Sequence, residues 1–292
     1  MNLVDKNITK AKMKQRLVKN NTGRVLFFLA TVFGIIVLFT LLVRVLTEGI
    51  GFLDLGFLTE FASRFPEQAG FKAAIVGSFW LMAITAPISI ILGVGTAIYL
   101  EEYAKKSRFN RFIQMNISNL AGVPSIVFGL LGLTVFVRLM EMGRSIIAGG
   151  LTMSLLILPI IVVASQEALR AVSKEQYEAS YAMGATKWQT IRRVILPAAL
   201  PGILTGSILA LSRAIGETAP LLMIGAITFI AYLPENIWSG FTVMPIQIFN
   251  WTSRPQEEFQ FVAAAGIIVL LVMLIVMNSI AVLIRNKFSK RF

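Results

Sequence analysis

The sequence predicts an all-α polytopic membrane protein with six transmembrane helices, and three observations predict it. Of 292 residues, 56% are hydrophobic and 14% charged, with a mean hydropathy of +0.76, whereas soluble domains carry roughly 25% charged residues. Uncharged runs long enough to cross about 30 Å of hydrocarbon recur along the chain. Lys and Arg gather in alternate intervals between those runs, as they do beside the cytoplasmic ends of membrane helices.

In chain order, residues 1–24 form a polar, basic arm carrying Lys6, Lys10, Lys12, Lys14, Arg16, Lys19 and Arg24. It is expected to lie on anionic headgroups or to be loosely ordered. Residues 25–72 hold the first span, Val25–Val43, and an outer loop. Its apolar core exceeds a signal-peptide core, and the Arg44–Glu48 stretch offers no small-x-small cleavage site, so it is read as a retained helix. Residues 73–285 supply five further spans as one core: Ala73–Leu100, Phe112–Val137, Ser145–Gln166, Val194–Tyr232 and Phe259–Ile284. Residues 286–292 are a basic tail. Twenty Lys and Arg fall in the arm, the tail and two inner loops, against six on the other side. Both termini are therefore expected in the cytoplasm. The net charge of +12 then reflects topology rather than nucleic-acid binding.

Composition also excludes whole classes of chemistry. The chain has no Cys and no His, so disulfides, zinc sites and thiol or Ser-His-Asp nucleophiles are unavailable. No metal or cofactor is expected. A phosphate-cradling GxxxxGK[ST] loop is missing too, and no Gly-Lys pair occurs anywhere. If ATP drives this protein, another chain hydrolyses it.

The inner loop at 166–200 is long for a connector. Glu178–Met183 favours helix, Gly184 can end it with a positive φ, and Thr186 can cap a second helix. That helix is expected to close at Ile195 and Leu196 before Pro197, with Pro201 opening the next span. Two short helices would then meet at a sharp break, offering Ala179, Met183 and Trp188 as apolar contacts. An interfacial hairpin resting on headgroups is the competing reading.

In the fifth run, Arg213 lies 12 residues after Pro201, roughly 18 Å along a helix. Glu217 follows at i+4. An ionisable side chain at mid-membrane costs about 2.5–3.5 kcal/mol, so such residues face a bundle interior or a water-filled path. Gly206, Ala210, Gly216 and Pro220 are expected on the same face, narrowing it and weakening the helix. The pair either neutralises itself and ties helices together, or Arg213 presents its fork of donors to an anion.

Two motifs carry a family resemblance. Glu178-Ala179-Ser180, three residues, Gly184, nine residues, then Val194-x-Leu196-Pro197 resembles the EAA loop of ABC importer permeases, with Ser180 and Val194 as departures. Ser212-Arg213-Ala214-Ile215-Gly216-Glu217-Thr218-Ala219-Pro220-Leu221 is similar to the signature of phosphate ABC importer permeases of the PstA type. Ala121–Gly129, Pro245–Trp251 and Arg254–Glu258 agree with that family, and the likeness covers residues 73–285. The resemblance implies a type I importer permease fold and inorganic phosphate import, with another oxyanion or a phosphonate as the alternative substrate. It implies Arg213, Glu217 and Thr218 on the substrate path, and Glu178, Ala179, Gly184, Leu196 and Pro197 coupling to the ATPase. The implied partners are a sister permease subunit, two ATP-binding subunits, an extracytoplasmic phosphate-binding protein and membrane lipid. Arg170 is either near the exit or a snorkelling interface residue. A lipid-acting enzyme and a free-standing channel are the readings from other classes.

Overall fold

The computed structural model describes residues 6–105, 107–226 and 229–289, and the regular structure among them is entirely helical. Lys106, Lys290 and Arg291, counted above for orientation, and residues 227–228 of the fifth run lie outside the described residues. In order the helices are α1 Lys6–Gly49, α2 Leu55–Thr59, α3 Lys72–Ile98, α4 Arg108–Leu120, α5 Ser125–Gly132, α6 Ile146–Arg170, α7 Lys174–Ala182, α8 Lys187–Thr190, α9 Leu196–Gly216, α10 Ala219–Ile224, α11 Met244–Thr252 and α12 Glu258–Ser289. Wider π-type turns extend α3 through Tyr99–Tyr103 and α5 through Leu133–Leu139, and fuse α8 to α9 across Ile191–Ile195.

The central layer is α3, α6 and α9. Small residues let their backbones approach, as membrane helices require where lipid supplies no hydrophobic drive. A methyl added at Gly93 would lie 2.7 Å from Ile161 Cγ2, and one at Gly206 would lie 2.3 Å from Ala164 Cβ. Buried hydroxyls add polar links: Thr85 Oγ1 donates to the Gly150 carbonyl at 3.3 Å, and Ser154 Oγ donates to the Thr85 carbonyl at 3.3 Å. Leu81, Ile157 and Ala210 are buried where these helices meet. At one end, Trp251 packs on Phe57 and Phe71 at ring distances of 5.8 and 5.2 Å. Peripheral α1 leans on α12, where Gly49 lies against the backbone of Ala264 and Ala265.

Five of the six expected runs correspond to helices long and apolar enough to span, and a bent pair of helices supplies the sixth. Four details depart from the sequence reading. The Phe112–Val137 run is not one rod: Arg108–Leu120 and Ser125–Leu139 meet at 104°. Pro124 explains the break, because it lacks an N–H and pushes Val123 out of the helical region. The fifth run is helical only to Gly216; after α10 it returns as irregular backbone through Phe241 and Thr242 to α11. Phe241, Thr242 and Val243 of that backbone are buried in protein, a setting in which coil at membrane depth is tolerated. Ile146 and Ile147 N–H donate to the Ser239 and Ile237 carbonyls at 3.2 and 3.0 Å, and Met244 N–H donates to Ser78 Oγ at 3.0 Å.

The other two departures concern helix ends. No stop occurs at Leu196, because Lys187–Gly216 runs as one 30-residue helix through both prolines. The π-type turn at Ile191–Ile195 precedes Pro197 and relaxes the spacing that its ring would otherwise violate. Lastly, residues 6–24 continue the first span instead of forming a loose arm. The resulting helix has 44 residues, about 66 Å at helical rise, and therefore projects well beyond the hydrocarbon.

Close backbone contact makes a paired prediction. A methyl at Gly77 would sit 2.0 Å from the Thr242 carbonyl oxygen, whereas Gly95 in the same helix has nothing within 4 Å. Gly77→Ala should destabilise the chain by about 1–3 kcal/mol, and Gly95→Ala should not. The check is thermal unfolding of the two variants in one detergent.

Candidate functional site

Arg213 lies on α9, and the packing of α9 fixes its depth. Gly206 abuts Ala164 and Gly202 abuts Ala168, so α9 runs antiparallel to α6. Extending that register by seven residues sets Arg213 level with Ile157, which is 11 residues from Ile146 and 13 from Arg170 at the ends of α6. The guanidinium is therefore close to the middle of a helix that spans the bilayer. A tie to α12 agrees: Ser212 Oγ contacts Asn278 Oδ1 at 2.5 Å.

The expected pair forms. Arg213 Nε lies 3.2 Å from Glu217 Oε1, with 51% of the arginine side chain and 17% of the glutamate side chain exposed. The path between them differs from the expectation. The helix ends at Gly216, and Glu217 adopts extended backbone (φ −75°, ψ 127°), so the glutamate reaches back from beyond the helix. Because both residues belong to one short segment, the pair ties no two helices together. Of the four residues expected on its face, only Gly216 is exposed. Gly206 and Ala210 are buried, and Pro220 packs against Gly129 of α5. Thr218 precedes α10, is half-buried, and makes no capping hydrogen bond with its side chain. What results is a half-open guanidinium at mid-depth with one flanking carboxylate and donor edges free for an anion.

The turn of the hairpin at the other end of α9 is built as its residues predict. Gly184 has φ +79°, a left-handed value that glycine alone adopts without penalty. Thr186 and Gln189 form a reciprocal capping box that starts α8. Glu178, Ala179 and Gly184 are exposed, as are Met183 (89%) and Trp188 (57%). Leu196 and Pro197 are not on this surface; half-buried at the root of α9, they anchor it, with Leu196 packed beside Ala199 and Leu169. Ser180, where the loop motif has Ala, contacts Thr190 Oγ1 through its hydroxyl at 2.9 Å and braces the hairpin.

Two residues that the sequence reading passed over hold this hairpin to the bundle. Glu101, in the turn extending α3, accepts from Arg170 Nε at 3.0 Å, Arg170 Nη2 at 2.5 Å and Gln166 Nε2 at 2.8 Å. Glu102 accepts from Tyr177 Oη at 2.6 Å, and its carbonyl accepts from Lys187 Nζ. Burial and the Glu102 carboxylate push the Tyr177 phenol well above its usual range. Raised this way, the group stays protonated and donating throughout neutral and mildly alkaline pH. The available signal was an acidic doublet ending an apolar run on the side that otherwise collects Lys and Arg. Arg170 is accordingly ion-paired at the end of α6, with half of its side chain exposed.

Comparison with known proteins places this geometry in a class. The fold matches the membrane chain of a bacterial ABC transporter that imports the acidic polysaccharide alginate, with TM-score 0.65 and 14% identity over 97% of this chain and 99% of that one. It also matches an inward-facing MetNI methionine ABC transporter, with TM-score 0.60 and 17% identity over 74% and 96%. The architecture is thus that of a type I ABC importer permease. The model of the binding-protein-dependent transport system inner membrane component matches residues 89–290, and the chain belongs to that family. Among curated relatives, the phosphate transport system permease protein PstA of Yersinia pestis is 33% identical over 96% of this chain and 93% of its own length. PstA 1 of Mycobacterium tuberculosis H37Rv is 32% identical over 95% and 91%. The probable ABC transporter permease YqgI of Bacillus subtilis is 33% identical over 80% and 84%.

The hairpin geometry yields a local prediction. Gly184→Ala forces a Cβ into a left-handed conformation, at a cost of about 1–2 kcal/mol, although the site has open space around it. Amide hydrogen exchange across 174–190 should accelerate roughly 5- to 30-fold, while that of α6 stays unchanged.

Proposed function

We propose that this chain is the permease subunit of an ATP-driven inorganic phosphate importer, forming half of the translocation pathway. The carrying observation is Arg213, half-exposed at mid-depth with Glu217 beside it. Relatives named as phosphate permeases across most of the chain support the same substrate. A guanidinium offers a planar fork matched to two oxygens of a phosphate. Phosphate at neutral pH retains a P–OH, which can donate to the Glu217 carboxylate, whereas fully ionised sulfate would meet that carboxylate with repulsion. Residues 73–285 are the working core, preceded by the basic segment 1–24 and the span and outer loop at 25–72.

The hairpin end is the cytoplasmic one on this reading, and both termini share that side, as the distribution of Lys and Arg supports. Glu178, Ala179 and Gly184 then present the docking surface for an ATP-binding subunit, with Met183 and Trp188 as apolar anchors. Leu196 and Pro197 join that surface to α9. A sister permease subunit closes the open face beside Arg213 and Gly216, two ATP-binding subunits lie beneath, and an extracytoplasmic phosphate-binding protein delivers substrate. The unbroken helix Lys187–Gly216 links docking surface to guanidinium, so movement of the hairpin is carried to the substrate path.

Three variants test this reading in cells that depend on this system for labelled phosphate. Arg213→Ala should reduce uptake at least 10- to 150-fold, the equivalent of about 1.5–3 kcal/mol for a charge-assisted contact, while the complex still assembles. Uptake at the wild-type rate would make Arg213 structural. Glu217→Gln should raise sulfate uptake relative to phosphate; equal uptake of both anions by the unaltered protein would contradict phosphate selectivity. Gly184→Val should cut co-purification of the ATP-binding subunit, and full co-purification with full uptake would remove the hairpin from coupling.

A further inference from the structure

At the hairpin end, a cavity of about 600 Å³ opens between the turn after α3, the start of α4 and the end of α6. Its walls carry four cations, Lys105, Arg108, Arg111 and Arg170, with Asn110 and Gln114 as neutral donors. Of the described residues on the wall, Glu101 is the only carboxylate, and both of its oxygens already accept from Arg170. Among the described residues, Lys105, Arg108 and Arg111 have no carboxylate within salt-bridge distance. A second cavity, of about 320 Å³, shares Arg111, Gln114 and Arg170 and adds Ser118, Asn119, Gln166 and one carboxylate, Glu167, which lies 3.6 Å from Arg170 Nη1. The donors thus continue along the groove between α4 and α6.

A solvated basic rim that only orients the helices would spread its charges over convex surface. Here three separate elements turn theirs into one concavity of a size common for small-ligand sites. Converging cations repel one another, and an anion held among them relieves that repulsion. Arginine forks favour phosphate oxygens. We propose that this cavity binds a phosphate group, carried either by free inorganic phosphate or by a phospholipid headgroup. The site is separate from Arg213: Arg170 lies 13 residues along α6 from the level of Arg213, about 20 Å at helical rise. That the cavity faces the cytoplasm rests on the orientation proposed above; the binding itself does not.

The test uses the permease pair with its ATP-binding subunits, without the binding protein, and with Arg213→Ala throughout. The complex is placed in phosphatidylcholine nanodiscs and titrated with labelled inorganic phosphate, with and without Arg108→Gln plus Arg111→Gln. Both arginines are exposed, so the exchange spares the fold. A saturable component weakened at least tenfold by the double exchange identifies free phosphate as the occupant. In a second arm, discs also contain phosphatidylglycerol, and lipid retained through purification is measured. Retained phosphatidylglycerol that falls with the double exchange, alongside unchanged phosphate binding, identifies the headgroup. If the exchange alters neither, the cavity is no phosphate site and the proposal is overturned. Because Arg213 is already removed, failure here leaves the translocation reading untouched, and failure of that reading leaves this binding intact.

Discussion

A guanidinium level with the midpoint of α6 is the constraint around which the rest is arranged. Hydrocarbon offers it no hydrogen bonds, so the protein must supply a partner and a polar route. Glu217 supplies the partner at 3.2 Å, reaching back from extended backbone just beyond the helix end at Gly216. Where the chain stops being helical, Phe241, Thr242 and Val243 bury irregular backbone within the protein, with Thr242 nested on Gly77.

Packing elsewhere follows from the need to leave that face open. Glycines at 93, 150, 202 and 206 draw α3, α6 and α9 into close contact, which consumes the small-residue side of α9. Leu209, Arg213 and Gly216 remain exposed on it. At the hairpin end the requirement is opposite: a surface that takes load needs a firm base. Glu101 and Glu102 bind Arg170, Gln166, Tyr177 and Lys187, so α3, α6, α7 and α8 meet at one acidic doublet. On the proposed function, the helix from Lys187 to Gly216 joins those two regions as a single rod.

The sequence was legible where one local rule acts without competition. Gly184 takes a positive φ and Thr186 caps α8 because both lie on the exposed hairpin, where the local preference decides. Apolar run lengths located the spans, and the i+4 spacing of Arg213 and Glu217 located the pair. Prolines misled in both directions. Pro124 sits in an uncharged run, so the absence of charge concealed a 104° bend. Pro197 and Pro201 suggested a helix end, yet a π-type turn and tertiary packing carry the helix through. Continuity of apolar residues from Val194 to Tyr232 likewise says nothing about backbone state once coil is buried in protein. Glu101 and Glu102 were missed because their partners lie 65 to 85 residues away, a separation no local pattern reveals.

Water contact at the Arg213 face tests the account most directly. The chain has no cysteine, so Gly216→Cys introduces a single thiol, and a methyl built at Gly216 meets nothing within 4 Å. In the assembled importer, a charged, membrane-impermeant maleimide applied to both sides should label Gly216→Cys, and inorganic phosphate should slow that labelling. Ile275→Cys, on an exposed apolar stretch of α12, should stay unlabelled. A thiol at position 216 as unreactive as one at position 275 would mean that the guanidinium faces lipid or packed protein, and the account would fail.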